Sequence, residues 1–420
     1  MRIHVSASQG EKQGGKWFVM YFRASLAEHG HLSGTMQAGC TRKKERQSMS
    51  EREDHLGLRK EDVEKSKSEE GLGTAGLLRL MSDDPAVGDA LALSKDGKII
   101  DQRLSIMAMP EDSEEEIRYW EHYEKGLHKE VHEEGLEKWS SFVPLSASSD
   151  KERRYPLIFC LHGAHNPIQM TESYGIIQVA AREECIVLAP ENENWESIRR
   201  LLEIAKNTFP VDWSRVYLMG YSFGGFSASR LGLAHPEIFA GIGMGGMLFA
   251  NDVAAHDLDG QWYEAYHLTE DMVEKTRNLG IAISLVMGEH EMLGLLPIRH
   301  EPGGEAKDGV IPLKPEEKMV SYNNLRRAAG CDEAVFPLPE EQKNDIERMT
   351  GIRFEADAER VYNDRRYLYG YNRRPDGDCL FETVAIEGMV HWPSSMFGEI
   401  LWEHLSKFSR DPKTGRLVQR

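Results

Sequence analysis

SRVYLMGYSFGGFSASRLGLAHPEIFAGIGMGG, residues 214–246, runs from an apolar strand through a glycine-flanked serine into a helix without a break. Val216-Tyr217-Leu218-Met219 has strand length and composition, and Gly220-Tyr221-Ser222-Phe223-Gly224 matches G-x-S-x-G. The helix continues from Ser222 through Phe226, Ala228 and Leu231. A strand that turns this sharply into a helix lifts the serine oxygen off the carboxyl edge of a sheet, where it can attack a carbonyl carbon. The turn leaves no room for side chains at its flanks, which explains glycine on both sides, while Gly225, Ser227 and Ala228 keep the inner face of the helix small. A structural turn with an incidental serine is the competing reading. The strand before and the helix after weigh against it.

Upstream, residues 153–170 read RRYPLIFCLHGAHNPIQM, an apolar strand running directly into His162-Gly163. Acyl transfer places negative charge on the carbonyl oxygen, so hydrogen-bond donors must already point at it. One expected donor is the N–H of Phe223, just after the nucleophile. The second is an N–H of the loop, at Gly163 or Ala164, where glycine lets the backbone approach substrate. His162 and His165 precede the serine, whereas the base of such a site comes last in the chain, so both are expected to shape the loop.

On these phrases (YPLIFCLHG, AREECIVLAPE, DWSRVYLMGYSFGG and LAHPEIFAGIGMGG) the stretch from Pro156 to Gly246 resembles the α/β-hydrolase superfamily. More narrowly it is similar to the polyhydroxybutyrate-depolymerase and feruloyl-esterase-like serine esterases. The resemblance implies hydrolysis of a carboxylic ester through an acyl-enzyme by a Ser-His-acid triad. It leaves the acyl and alcohol parts open. The base is expected at His391, which follows the last strand candidate on a loop before the closing helix, and His391-Trp392-Pro393 is similar to the family's ending. His235 reads as a helix C-cap and His404 as a helix-packing residue. The family pattern of strand, glycine, two residues and acid places the carboxylate at Glu291, a glutamate where the family has aspartate. Glu289 is the runner-up, and Asp376 and Asp378 stand further off. Tyr221, His165, Asn166 and Trp392 flank these groups and are candidates for substrate contact, with a turn before Pro167 as the competing role of Asn166. A serine peptidase or thioesterase would use the same groups. A non-catalytic binding protein would keep the elbow with the acid or histidine misplaced.

Around this centre, strand candidates at 139–143, 156–161, 184–189, 214–219, 239–243, 281–287 and 380–386 alternate with helix candidates at 172–183, 195–208, 222–235, 317–329 and 395–407. That alternation predicts an α/β fold: a mostly parallel twisted sheet flanked by helices, occupying 139–410. Insertions at 247–278 and 297–379 follow late strands, on the side where such sheets carry binding loops. Residues 76–138 are expected to lead into the core as a helical segment. Within 111–138 the spacing of Ile117, Trp120, Tyr123 and Leu127 predicts one apolar helical stripe. His122, His128 and His132 lack the HExxH order of a zinc helix, and a solvated face is the expected role. Residues 1–75 form an extension apart from the core; the charge-dense 41–70 holds too little apolar surface to offset its ordering entropy.

The chain has 420 residues and a net charge of −18, from 51 basic and 69 acidic groups. That balance argues against nucleic acid or an anionic membrane as partner, because phosphate binding needs clustered Lys and Arg. The five cysteines show no C-x-x-C spacing, and two lie in apolar strands, so buried free thiols are expected. No apolar run is long enough to span a bilayer. The expected protein is cytoplasmic, uses no metal or organic cofactor, and takes a small or oligomeric ester as its partner.

Overall fold

The computed structural model of the chain describes residues 2–12, 15–25, 113–134, 137–163, 168–246, 269–290, 315–334, 356–362, 365–390, 393–394 and 396–420. The charge-dense 41–70 lies outside them, as do residues 247–268 of the first insertion. In chain order the elements are β1 (Arg2–Lys12), β2 (Gly15–Ser25), α1 (Glu114–His122), β3 (Leu127–Glu134), β4 (Glu137–Pro144) and α2 (Ser146–Ser149). Then follow β5 (Tyr155–Leu161), α3 (Ile176–Glu183), β6 (Ile186–Pro190), α4 (Trp195–Thr208), β7 (Val211–Tyr221) and α5 (Phe223–Ala234). The chain continues through β8 (Gly241–Gly245), α6 (Glu270–Leu279), β9 (Ala282–His290), α7 (Pro315–Ala328), β10 (Ala358–Tyr362), β11 (Arg365–Arg373) and β12 (Cys379–Val390). It ends with α8 (Phe397–Leu405), β13 (Phe408–Arg410) and β14 (Leu417–Gln419). A 3-10 segment, Ile168–Ser173, precedes α3.

One sheet of 10 strands carries the fold, in the order β10-β11-β12-β9-β8-β7-β5-β6-β4-β3. From β6 to β12 its neighbours run parallel, and antiparallel hairpins close both edges. β5 and β6 are buried along their whole length, which is why YPLIFCL and IVLAP are unbroken apolar runs instead of alternating ones. Helices cover both faces. Trp195 at the start of α4 stacks on His235 at the end of α5, and α5 packs against α6, so these three share a face. α8 packs on α3, β8 and β9 across the other. α4 shows how the local sequence makes an element. Asn194 caps it by accepting from the Ser197 N–H at 3.0 Å, and Ile198, Leu201, Leu202 and Ala205 form its buried stripe. This is the mostly parallel sheet flanked by helices that the sequence predicts.

The single helix expected across 111–138 is not what forms. α1 stops at His122, and the chain reverses through Glu124 at φ 51° and Gly126 at φ 80°. A Cβ at Gly126 would press on the Glu121 carbonyl and the Leu145 side chain, so the reversal is built around glycine. Beyond it β3 alternates, with Leu127 and Lys129 buried and His128 and Glu130 exposed. His128 and His132 therefore sit on a strand, where His132 stacks on Trp139 and bonds the Ser141 hydroxyl at 2.8 Å.

The 297–379 insertion also contributes to the core layer. It supplies α7 and the β10–β11 hairpin, which extends the sheet beyond β12. Of the five cysteines, Cys160, Cys185 and Cys331 are buried free thiols and Cys379 is a half-buried one.

Candidate active site

Strand order decides where a site can form. After β5 the chain crosses to β6 on one side, and after β7 it crosses to β8 on the other. Helices then diverge from the carboxyl ends of β5 and β7, opening a crevice between them. Ser222 stands at the end of β7, and His162-Gly163 at the end of β5. The neighbouring strands are in register up to this edge, with Leu161 opposite Gly220.

Ser222 has φ 58° and ψ −123°, which residues with a Cβ rarely adopt. Its N–H donates to the Gly245 carbonyl at 2.8 Å, and its carbonyl accepts from Phe226 at 3.1 Å, so the strained turn is held from both sides. Although Ser222 is the N-cap of α5, its side chain makes no capping hydrogen bond. The glycines of the motif are steric necessities. A Cβ on Gly220 would meet Gly224, and one on Gly224 would overlap the Leu161 and His162 carbonyls. The elbow therefore touches the start of the His162-Gly163 loop directly. Phe223 opens α5, where the first N–H groups have no intrahelical acceptor, and its ring stacks on Phe226. Tyr221 is buried behind the serine, with its ring edge-on to Phe397 and 6.2 Å from Tyr174.

At the loop, the Gly163 N–H donates to the Tyr174 hydroxyl at 3.0 Å. His162 is buried, with Nδ1 2.7 Å from the Gly163 carbonyl and Nε2 2.9 Å from the Glu191 carbonyl. Glu193 lies 4.0 Å from Nδ1. Burial pushes the Glu193 carboxyl up to about 7, with His162 and Ser227 opposing the shift. No sequence pattern marked Tyr174 or Glu193. Ala164, His165 and Asn166 lie outside the described residues.

Glu291, His391 and Trp392 also lie outside the described residues, but the strands that lead to them, β9 and β12, are described. Val390, the last residue of β12, pairs with His290, the last residue of β9. The two segments carrying the expected acid and base thus leave the sheet side by side at the edge that bears Ser222. Further along, the Phe397 ring at the start of α8 meets Tyr221 beside the serine. Glu289 belongs to β9 itself, and only Glu291 lies beyond the strand. Asp376 and Asp378 occupy the turn before β12, at the amino ends of the parallel strands, which sets them at the opposite edge from Ser222. His235 caps α5 at the end far from the serine. His404 is buried in α8, bonded to the Leu380 carbonyl at 3.1 Å. Cys160 on β5 is no competing nucleophile, since burial holds its thiol protonated.

No protein-family model matches the chain, and no curated protein matches its sequence. Among solved structures, an S-formylglutathione hydrolase from Staphylococcus aureus is similar at 14% identity and a TM-score of 0.32, over 40% of this chain and 78% of that one. A ferulic acid esterase is similar at 16% identity and a TM-score of 0.35, over 49% and 87%. An acetyl xylan esterase from Aspergillus awamori is similar at 10% identity and a TM-score of 0.40, over 67% and 99%. Among the described residues, no helix is long and apolar enough to cross a membrane.

Proposed function

On this α/β-hydrolase core, we propose that the chain is a serine hydrolase that cleaves a carboxylic ester through an acyl-enzyme. The observation that carries the reading is Ser222 itself. It stands on a strained strand-to-helix turn at the switch point of the sheet, one strand away from the His162-Gly163 loop. The paired ends of β9 and β12 support the choice of Glu291 as acid and His391 as base.

In the proposed reaction His391 accepts the Ser222 proton as Oγ attacks the ester carbonyl carbon. The oxyanion is met by the Phe223 N–H and an N–H of the 163–164 loop. Collapse of the tetrahedral adduct breaks the bond to the alcohol oxygen, which takes the proton from His391. Water, deprotonated by the same imidazole, then attacks the acyl-enzyme and releases the carboxylic acid. Glu291 accepts from the other imidazole N–H and fixes its tautomer. None of these steps needs a metal or an organic cofactor.

Turnover of p-nitrophenyl acetate and butyrate tests the reading. Ser222→Ala is expected to lower kcat by at least about 10⁴-fold, and undiminished turnover would reject the nucleophile. Activity is expected to fall on acidification, because only the neutral imidazole accepts a proton. A rate that stays flat from mildly acidic to neutral pH would rule out a histidine base.

A further inference from the structure

Both polar groups of Gly163 are already taken up. Its N–H goes to the Tyr174 hydroxyl at 3.0 Å, and its carbonyl lies 2.7 Å from Nδ1 of His162. The second ring nitrogen of His162, Nε2, lies 2.9 Å from another carbonyl, that of Glu191. Carbonyl oxygens only accept, so both contacts are hydrogen bonds only when both ring nitrogens carry protons. A neutral imidazole would turn one lone pair towards a carbonyl oxygen at hydrogen-bond distance.

A charged ring needs an anion here, because His162 is only 7% exposed. Glu193 supplies one, 4.0 Å from Nδ1 and equally buried. Among the described residues neither Glu193 oxygen has a hydrogen-bond partner. A buried carboxylate in that position is matched by the imidazolium beside it. Burial opposes the charge on His162, but the Glu193 carboxylate and the Gly163 and Glu191 carbonyls outweigh it and raise the ring above its ordinary range.

We propose that His162 is a buried imidazolium balanced by Glu193, and that these two with Tyr174 are the positioning residues of the oxyanion loop. The catalytic consequence rests on the serine-hydrolase reading; the protonation state does not. Tyr174 takes the Gly163 N–H, so that amide is not offered to substrate. The imidazolium holds the Gly163 carbonyl, which belongs to the same planar peptide as the following N–H. With its N–H held by Tyr174 and its carbonyl by His162, Gly163 fixes the start of the loop in place. None of the three side chains has to touch substrate.

The test uses the full chain, labelled with ¹⁵N in histidine and in the backbone. At neutral pH the His162 ring is expected to show protons on both nitrogens. Glu193→Gln is expected to reduce this to one proton. Tyr174→Phe is expected to raise Gly163 amide exchange at least about tenfold and to lower kcat for p-nitrophenyl acetate by about 10- to 100-fold, with KM within about twofold. A merely structural tyrosine would lower stability without that split. A singly protonated His162 in the wild type overturns the proposal, as does Tyr174→Phe with unchanged exchange and kcat. If Glu193→Gln does not fold, wild-type ring protonation and the tyrosine variant still decide. If the wild type hydrolyses no ester, the hydrolase reading falls, and ring protonation with Gly163 exchange decides this proposal alone.

Discussion

At the scale of single residues, the elbow is a contest between strain and contact. The φ of 58° at Ser222 costs on the order of 1–3 kcal/mol for a residue with a Cβ. The hydrogen bond to Gly245 and the close approach of Gly224 to β5 hold it there. Gly224→Ala is the sharpest probe of that approach, because its methyl would overlap the Leu161 and His162 carbonyls. Backbone atoms cannot swing aside, so the serine and the loop have to separate. The variant is expected to lose about 100-fold in kcat through misplacement and 1–3 kcal/mol in stability, read from ester turnover and a urea melt. An alanine variant with wild-type turnover would contradict the packing account. Ser222, Gly220 and Gly224 were legible in the sequence because their steric demands fall on near neighbours in the chain. Tyr174 and Glu193 were not, since each acts on the loop only after folding brings distant segments together.

At the scale of elements, the N-terminal helix is fastened next to the loop by charge inside the core. Lys129 on β3 contacts Glu116 on α1 at 2.7 Å and Glu172 of the 3-10 segment at 2.9 Å, all three buried. Trp120 donates to Glu172, and Gln169 donates to Glu116 at 2.9 Å. Burial pushes Glu172 up to about 8 against the pull of Lys129, with Glu116 adding to the rise. Removing the lysine leaves two carboxyls facing each other out of water. Lys129→Met is therefore expected to cost about 3–5 kcal/mol in a denaturant titration, and a loss below about 1 kcal/mol would show the cluster to be dispensable. Local patterns revealed α4, β5 and β6 because cap and apolar run coincide there. They misread β3, whose buried Lys129 breaks the apolar alternation expected of a strand. They also passed over the β10–β11 hairpin, whose edge position favours charged pairs such as Arg366–Glu359.

For the whole molecule, topology brings the carboxyl ends of β7, β9 and β12 to one edge of the sheet, and burial sets the pH limits of stability. His404 is buried, and burial lowers its pKa to about 4 from 6.5. The unfolded chain takes up that proton first as pH falls, so the contribution is complete above about 6.5 and is lost progressively towards about 4. Glu172 and Glu193, both raised, act in the opposite sense, so the comparison between variant and wild type is the informative quantity. His404→Gln keeps a donor for Leu380 but cannot titrate. Its stability relative to wild type is expected to improve on acidification across that window by roughly 3 kcal/mol. An unchanged difference from pH 7 to pH 4 would contradict a neutral buried imidazole. The sheet order was legible as a class, because strands alternated with helices. The side-by-side exit of β9 and β12 was not, since pairing across the sheet leaves no mark in either segment. The most direct test of the central claim is intact-mass spectrometry after exposure to a fluorophosphonate. A single phosphonyl adduct on folded wild type, mapped to Ser222 and absent from Ser222→Ala, is the predicted result; no adduct on folded protein, or one that survives the substitution, would contradict it.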